Sequence, residues 1–300
     1  MFSDTHFHFQ NMTENRGVNG AEVLTTMAAR NCKFGLDIGT EADDLLKREQ
    51  CVEKAIATMD FEAAQKARKF IYFSAGIWPS VEEIHARAER IEVLKAQIEA
   101  AEKDENQDTL NRKIIALGEF GLDHHWNPGG VDGRCESDFD DKTYFGEQEL
   151  FEMQLNLAHD MKLPSIIHSR DAFEDTLECI KRLGNHNGII HCYSYGLEEA
   201  KKFLDLGWYI SFSGSVTYTK KSKMDAMLEL LRYVPEDRIL CETDSPYLAP
   251  VPHRGEACSP VLVEHTYNFV AEARGITTEE LCSTVDKNIE KLFFSLPNLE

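Results

Sequence analysis

Positive charge is scarce in this chain. Against 52 Asp and Glu stand 32 Lys and Arg, a formal net charge of −20. Such a surface repels polyanions and lacks the basic footprint with which proteins grip nucleic acid by its backbone, so any phosphate chemistry must bring its own local positive charge. Paired cysteines are missing too. The eight cysteines are scattered and none forms a CxxC pair, which argues against a disulfide framework and reads as reduced, mostly buried thiols. No apolar run approaches the ~18 residues that span a bilayer, so no membrane-spanning helix is expected. No Pro-, Gly- or Ser-rich linker, internal repeat or low-complexity tract divides the chain, so one domain is expected over residues 1–300. The first strand-like segment begins at Phe2, which leaves no stretch for a leader peptide and gives the cytoplasm as the expected location.

What is present is an alternation. Short apolar, β-branched runs at 2–8, 34–39, 71–77, 114–121, 165–170, 188–194, 208–215 and 239–245 are separated by segments of helical periodicity. Ile84, Ile91, Leu94 and Ile98 share one helix face, as do Phe151, Leu155, Ala158 and Met161, and Thr277 with Glu280 makes a capping-box pattern before the last helix. Strands alternating with helices are parallel strands with crossover helices. Eight such units, with strands apolar enough to be covered on both faces, point to the α/β class and a (β/α)₈ TIM barrel, a fold of roughly 250 residues. Two connections are long: a charged helical excursion at 80–111, read as a solvated surface helix, and a Gly- and Asp-rich insertion at 122–142, placed at one end of the barrel.

The chemistry lies where polar residues fall in these strands. Asp4, His6 and His8 recur every second residue and so point the same way, inward in a barrel strand, where unpaired polar groups are costly. Two histidines two apart with a carboxylate behind them fit a metal chelate. Glu119, His168, His191 and Asp244 each close an apolar strand run, at the C-terminal ends, the face where barrel active sites are built. Six such ligands are too many for one tetrahedral ion and suit two ions sharing a bridge, about 3.5–4 Å apart. Imidazole with carboxylate leaves Zn, Mn, Co, Ni, Fe and, less well, Mg as candidates.

The motifs Asp4-Thr-His6-Phe-His8, Gly118-Glu119-Phe-Gly121-Leu-Asp123, Ile167-His168-Ser-Arg170-Asp171-Ala, His191-Cys-Tyr-Ser and Glu242-Thr-Asp244-Ser-Pro-Tyr247-Leu-Ala-Pro250-Val-Pro-His253-Arg254-Gly run in order from residue 4 to 255. They resemble the TatD family of metal-dependent deoxyribonucleases within the amidohydrolase superfamily. The resemblance implies a divalent-metal site and hydrolysis of phosphodiester bonds in DNA. It implies His6 and His8 as ligands of a first ion, Glu119 as the bridge, His168 and His191 as ligands of a second, and Asp244 as both ligand and general base toward a metal-activated water. Four neutral histidines and two carboxylates around two dications leave a local charge of about +2, which draws a phosphate past the acidic surface. Arg170 and Arg254 follow strands five and eight, where each either forks onto a substrate phosphate or pairs with a carboxylate. His253 either stands behind the ligands or faces substrate. Asp123 and Asp171 are read as orienting neighbours.

The chain also departs from the family pattern. Gly76-Ile-Trp78-Pro79-Ser80 stands where two histidines are usual, and Tyr195 stands where a glycine is usual. The insertion carries Asp132, Glu136, Asp138, Asp140 and Asp141 against Arg134 and Lys142, charges that oppose long DNA. His124, His125 and Trp126 open that insertion and read as loop residues, and Trp78 and Trp126 either stack on a base or pack at the rim. The expected activity is a deoxyribonuclease, exonuclease-like, acting on DNA ends or short single strands with two divalent ions and no membrane partner; a monomer is favoured. The alternatives are the same barrel hydrolysing an amide, ester or lactone, and a non-catalytic metal-binding interaction protein.

Overall fold

The computed structural model describes residues 2–103, 114–125, 134–184 and 186–295. Trp126, Asp132 and parts of both long connections lie outside the described residues. Eight strands form one parallel sheet in sequence order: β1 (Asp4–Phe7), β2 (Gly35–Asp37), β3 (Ile71–Ala75), β4 (Ile114–Asp123), β5 (Ser165–Arg170), β6 (Gly188–Ile190), β7 (Tyr209–Phe212) and β8 (Ile239–Cys241). The helices α1 (Gly20–Ala29), α2 (Leu45–Ile56), α3 (Phe61–Phe70), α4 (Val81–Lys103), α5 (Asp141–Met161), α6 (Phe173–Leu183), α7 (Leu197–Asp205), α8 (Met224–Tyr233), α9 (Val263–Arg274) and α10 (Thr278–Ile289) surround it. This is a (β/α)₈ TIM barrel, as expected. Among the described residues no helix is long and apolar enough to cross a membrane.

The apolar pattern explains the layers. Leu36, Phe73, Ile166, Ile189, Ile210 and Leu240 are buried in their strands, and Ile84, Ile91, Leu94 and Ile98 form the buried face of α4. The excursion is therefore a half-buried helix packed on α5 rather than a wholly solvated one. Thr277 and Glu280 make both bonds of the capping box that opens α10.

β1 and β8 meet through an isolated bridge, Phe7 to Ser245, instead of a ladder. The Asp244 amide donates to the His6 carbonyl at 2.9 Å, and the His8 amide donates to the Ser245 carbonyl at 2.8 Å. Asp4 reinforces this seam: its carboxylate accepts from the Thr243 hydroxyl at 2.7 Å and from the Thr243 and His6 amides at 3.1 Å each. The residues that close the barrel are thus the neighbours of its candidate ligands.

Strands six, seven and eight end earlier than their sequence runs, at Ile190, Phe212 and Cys241. The polar residues beyond them leave the ladder and turn over the mouth, with Cys192 (φ 44°) and Asp244 (φ 60°) in the left-handed region. β4 does the reverse and continues to Asp123, so Leu122 and Asp123 are strand, not insertion, and Lys142 already belongs to α5. The β4–β5 register slips between Gly118 and Phe120, a bulge at Glu119. Gly118 (φ 150°) and Gly121 (φ 155°) flank it, and a Cβ on Gly121 would lie 1.8 Å from the His168 carbonyl oxygen. Only glycine allows the strands to approach this closely, and a bulge of this kind re-aims a side chain.

The described part of the insertion is pinned down. Arg134, fully buried, pairs with Glu147 at 2.9 Å, donates to the carbonyls of Pro79 and Asp123, and lies 4.2 Å over the Phe139 ring. Glu147 also accepts from the Asp123 amide at 3.1 Å.

Candidate metal centre

The strand ends bring all six expected ligands into one cluster at the C-terminal mouth. Around Glu119, His191 Nε2 lies 2.8 Å and His168 Nδ1 3.4 Å from Oε2, and His8 Nε2 lies 3.4 Å from Oε1. Asp244 Oδ1 is 3.7 Å from His6 Nε2 and 3.5 Å from His8 Nε2. The His6 and His191 rings stack at 3.9 Å and 6°. His6, His8 and Glu119 form one group with ligand-capable atoms within 4.8 Å of one another, and Glu119, His168 and His191 form a second. Glu119 is common to both, the arrangement that a bridging carboxylate requires.

Two carboxylates behind the cluster set which nitrogen each imidazole presents. His168 Nε2 is 3.0 Å from Asp123 Oδ2, so its Nδ1 faces inward. His191 Nδ1 is 3.3 Å from Glu242 Oε1, which also accepts from the Cys192 amide at 2.7 Å, so its Nε2 faces inward. A carboxylate on the far nitrogen fixes tautomer and ring orientation and makes the ligand more basic. Asp4 does not serve His6 in this way: its oxygens are engaged by Thr243 and a backbone amide, and burial pushes its carboxyl up to about 8.

The electrostatics are those of a cation site. Burial opposes ionisation of Glu119, yet His191, His168 and His6 together hold its carboxyl well below the usual range. Burial likewise opposes a charge on His168, but Asp123 and Glu119 push it up to about 9, and Glu119 and Glu242 push His191 well above its ordinary value. His6 moves the other way: burial and the positive His191 beside it hold it well below the imidazole range. Both nitrogens of His6 and Oε2 of Glu242 are buried without a hydrogen-bond partner among the described residues. Orphaned donors and acceptors at a converging imidazole–carboxylate set are what bound divalent ions would satisfy, so the residues fit such ions.

The other expected site residues ring this cluster. Arg170 lies 4.0 Å from Asp123 and is 41% exposed, so its guanidinium is held only loosely at the mouth. The Arg254 guanidinium sits 4.6 Å over the Tyr218 ring. His253 pairs with Glu256 at 3.0 Å and packs on His265. Asp123 orients His168, and Asp171 engages His125 at 2.8 Å, while His124 engages Glu147 at 3.2 Å. Trp78 packs edge-on to His168 with centroids 5.9 Å apart. The Tyr195 hydroxyl bonds Ser169 at 2.8 Å and accepts from the Ala172 amide at 3.1 Å, so its bulk fills the turn after β5. Glu242, which stands behind His191, was not among the site residues expected from the sequence. Its spacing of two from Asp244 was the available signal.

The family model described as TatD related DNase matches residues 3–294. The chain is 32% identical over 293 residues to the uncharacterized metal-dependent hydrolase YcfH of Escherichia coli K12, covering 97% of this chain and 94% of that protein. It is 30% identical over 295 residues to the uncharacterized metal-dependent hydrolase YabD of Bacillus subtilis, covering 98% and 99%. Among solved structures, the TatD homologue YjjV of Escherichia coli superposes with a TM-score of 0.73 at 24% identity over 98% of both chains.

Proposed function

This chain belongs to the TatD family of metal-dependent hydrolases, and from that premise we propose that it hydrolyses phosphodiester bonds in DNA, at ends or in short single strands. The observation that carries this reading is the pair of ligand groups sharing Glu119. His6, His8 and Asp244 would hold one divalent ion and His168 and His191 a second, with Glu119 shared between the two groups. When bound, such ions acidify water and neutralise charge on phosphoryl oxygens.

The chain's own residues do the rest. Asp244 takes the proton of the attacking water: its carboxylate stands beside His6 and His8 at the mouth, with its side chain 15% exposed and so within reach of solvent. Its left-handed backbone aims it across the seam. Asp123 and Glu242 keep the His168 and His191 lone pairs turned toward the centre. Arg170 and Arg254, at the rim, meet the phosphate oxygens.

A panel of short oligodeoxynucleotides, bis(p-nitrophenyl) phosphate, a lactone and an amide, each offered with Mg or Mn, tests the reading. Turnover of the oligonucleotides and the small diester is expected. Lactone or amide turnover with nucleotides untouched would overturn it in favour of a different bond, and metal-loaded protein silent on every substrate would favour a binding role.

A further inference from the structure

The charges around the mouth are unevenly placed. On the β4–β5 side acids outnumber bases: Glu136, Asp138, Asp140 and Asp141 lead into α5 with Lys142 after them, and Asp171 lies beyond β5 next to the part-exposed Arg170. On the β7–β8 side bases predominate. Lys220, Lys221 and Lys223 are exposed in the segment joining Tyr218 to α8, and Arg254 is exposed in the loop beyond β8. The two loops are joined, since the Val251 amide donates to the Thr217 hydroxyl at 2.9 Å and Arg254 lies over Tyr218. The loop beyond β7 starts at Ser213, whose hydroxyl lies 3.3 Å from the Cys192 sulfur, and the Cys192 amide donates to Glu242 behind His191, so this rim borders the cluster. Lys223 is five residues beyond Tyr218, within roughly 18 Å of it even with the chain fully extended.

None of the three lysines forms an ion pair among the described residues. Asp225 and Glu256 are the acids closest in sequence, and Glu256 is engaged by His253. In a chain of net charge −20, a run of unpaired cations on the loop beyond β7, at the C-terminal end of the barrel, is where a polyanion meets least repulsion. Tyr247, 42% exposed with its ring 6.2 Å from that of His8 and its hydroxyl held by Asn11 at 2.7 Å, adds a fixed aromatic face on the same side. A base can stack on such a face only when it is unpaired.

We propose that the β7–β8 rim is the strand-binding side of the site: Lys220, Lys221, Lys223 and Arg254 take the phosphates flanking the scissile one in single-stranded DNA. The acidic rim opposite turns away duplex and longer substrate. This rests on the phosphodiester reading above.

The test is the variant Lys220→Glu, Lys221→Glu, Lys223→Glu, all exposed positions outside the ligand cluster, with thermal unfolding and metal content checked against wild type. For octathymidylate, kcat/KM at low salt falls roughly tenfold or more, and the log–log salt slope becomes shallower by about 2, because each single-strand phosphate contact contributes ~0.7. Bis(p-nitrophenyl) phosphate has no flanking phosphates, so its kcat/KM stays within about twofold of wild type. Unchanged octathymidylate kinetics and slope, or an equal loss on both substrates, would overturn the strand-binding role. Wild-type protein that hydrolyses the small diester yet gives those results leaves the phosphodiester reading standing; wild-type protein that hydrolyses neither overturns both.

Discussion

Replacing Asp244 with Asn removes the proton acceptor while keeping an oxygen beside His6 and His8. Asp244→Asn is expected to retain fold and metal content and to lose ~10²–10⁴-fold in kcat, the usual contribution of general-base catalysis; steady-state kinetics with metal analysis checks it. Glu242→Gln leaves the His191 ring in place but weakens the bond that fixes its tautomer, so metal affinity falls ~10–100-fold, measurable by competition with a chromophoric chelator. The converging cluster was legible because strand periodicity and strand-end placement are written in the sequence: His6 and His8 two apart, and Glu119, His168, His191 and Asp244 each ending an apolar run. Glu242 was hidden inside a run that read as leading to Asp244. The partners of Arg170, His253 and Arg254 depend on neighbouring loops and had no sequence signature.

At the scale of elements, β4 carries the sharpest constraint. Gly121→Ala would drive a Cβ into the backbone of β5 at His168, and a loss of ~3 kcal/mol or more is expected from chemical denaturation, at the upper end of overpacking costs. The alternation of strands and helices gave eight strands near their observed positions, because strands covered on both faces must be apolar throughout. Their ends were less legible. The turn out of β6 and β8 rests on left-handed residues, Cys192 and Asp244, that no glycine announces, and the bulge at Glu119 is a property of two strands together.

For the whole molecule, the cluster couples stability to pH. In the metal-free protein His168 titrates at about 9 against an ordinary 6.5, so its protonated form stabilises the fold below about 6.5, and that stability is lost as pH rises through about 9. Asp4, raised by burial to about 8, acts in the same direction, since its protonated form is the one the fold favours. Chelator-treated protein is therefore expected to unfold at lower urea at about pH 9 than at about pH 6. Metal must displace the proton of His168, so metal affinity rises over the same interval, read by calorimetry in buffers of different ionisation enthalpy. The net charge of −20 and the acidic insertion at 122–142 were plain in the sequence, but the basic rim opposite was not, because the barrel sets side by side the loops after β7 and β8 that the chain order separates.

The central claim is that one imidazole–carboxylate cluster holds two divalent ions and that phosphodiester hydrolysis depends on them. Titrating stripped protein with Mn while following hydrolysis of octathymidylate tests it most directly. The account predicts no hydrolysis without metal and full recovery at about two equivalents per chain. Undiminished hydrolysis by stripped protein, or saturating binding that restores none, would contradict it.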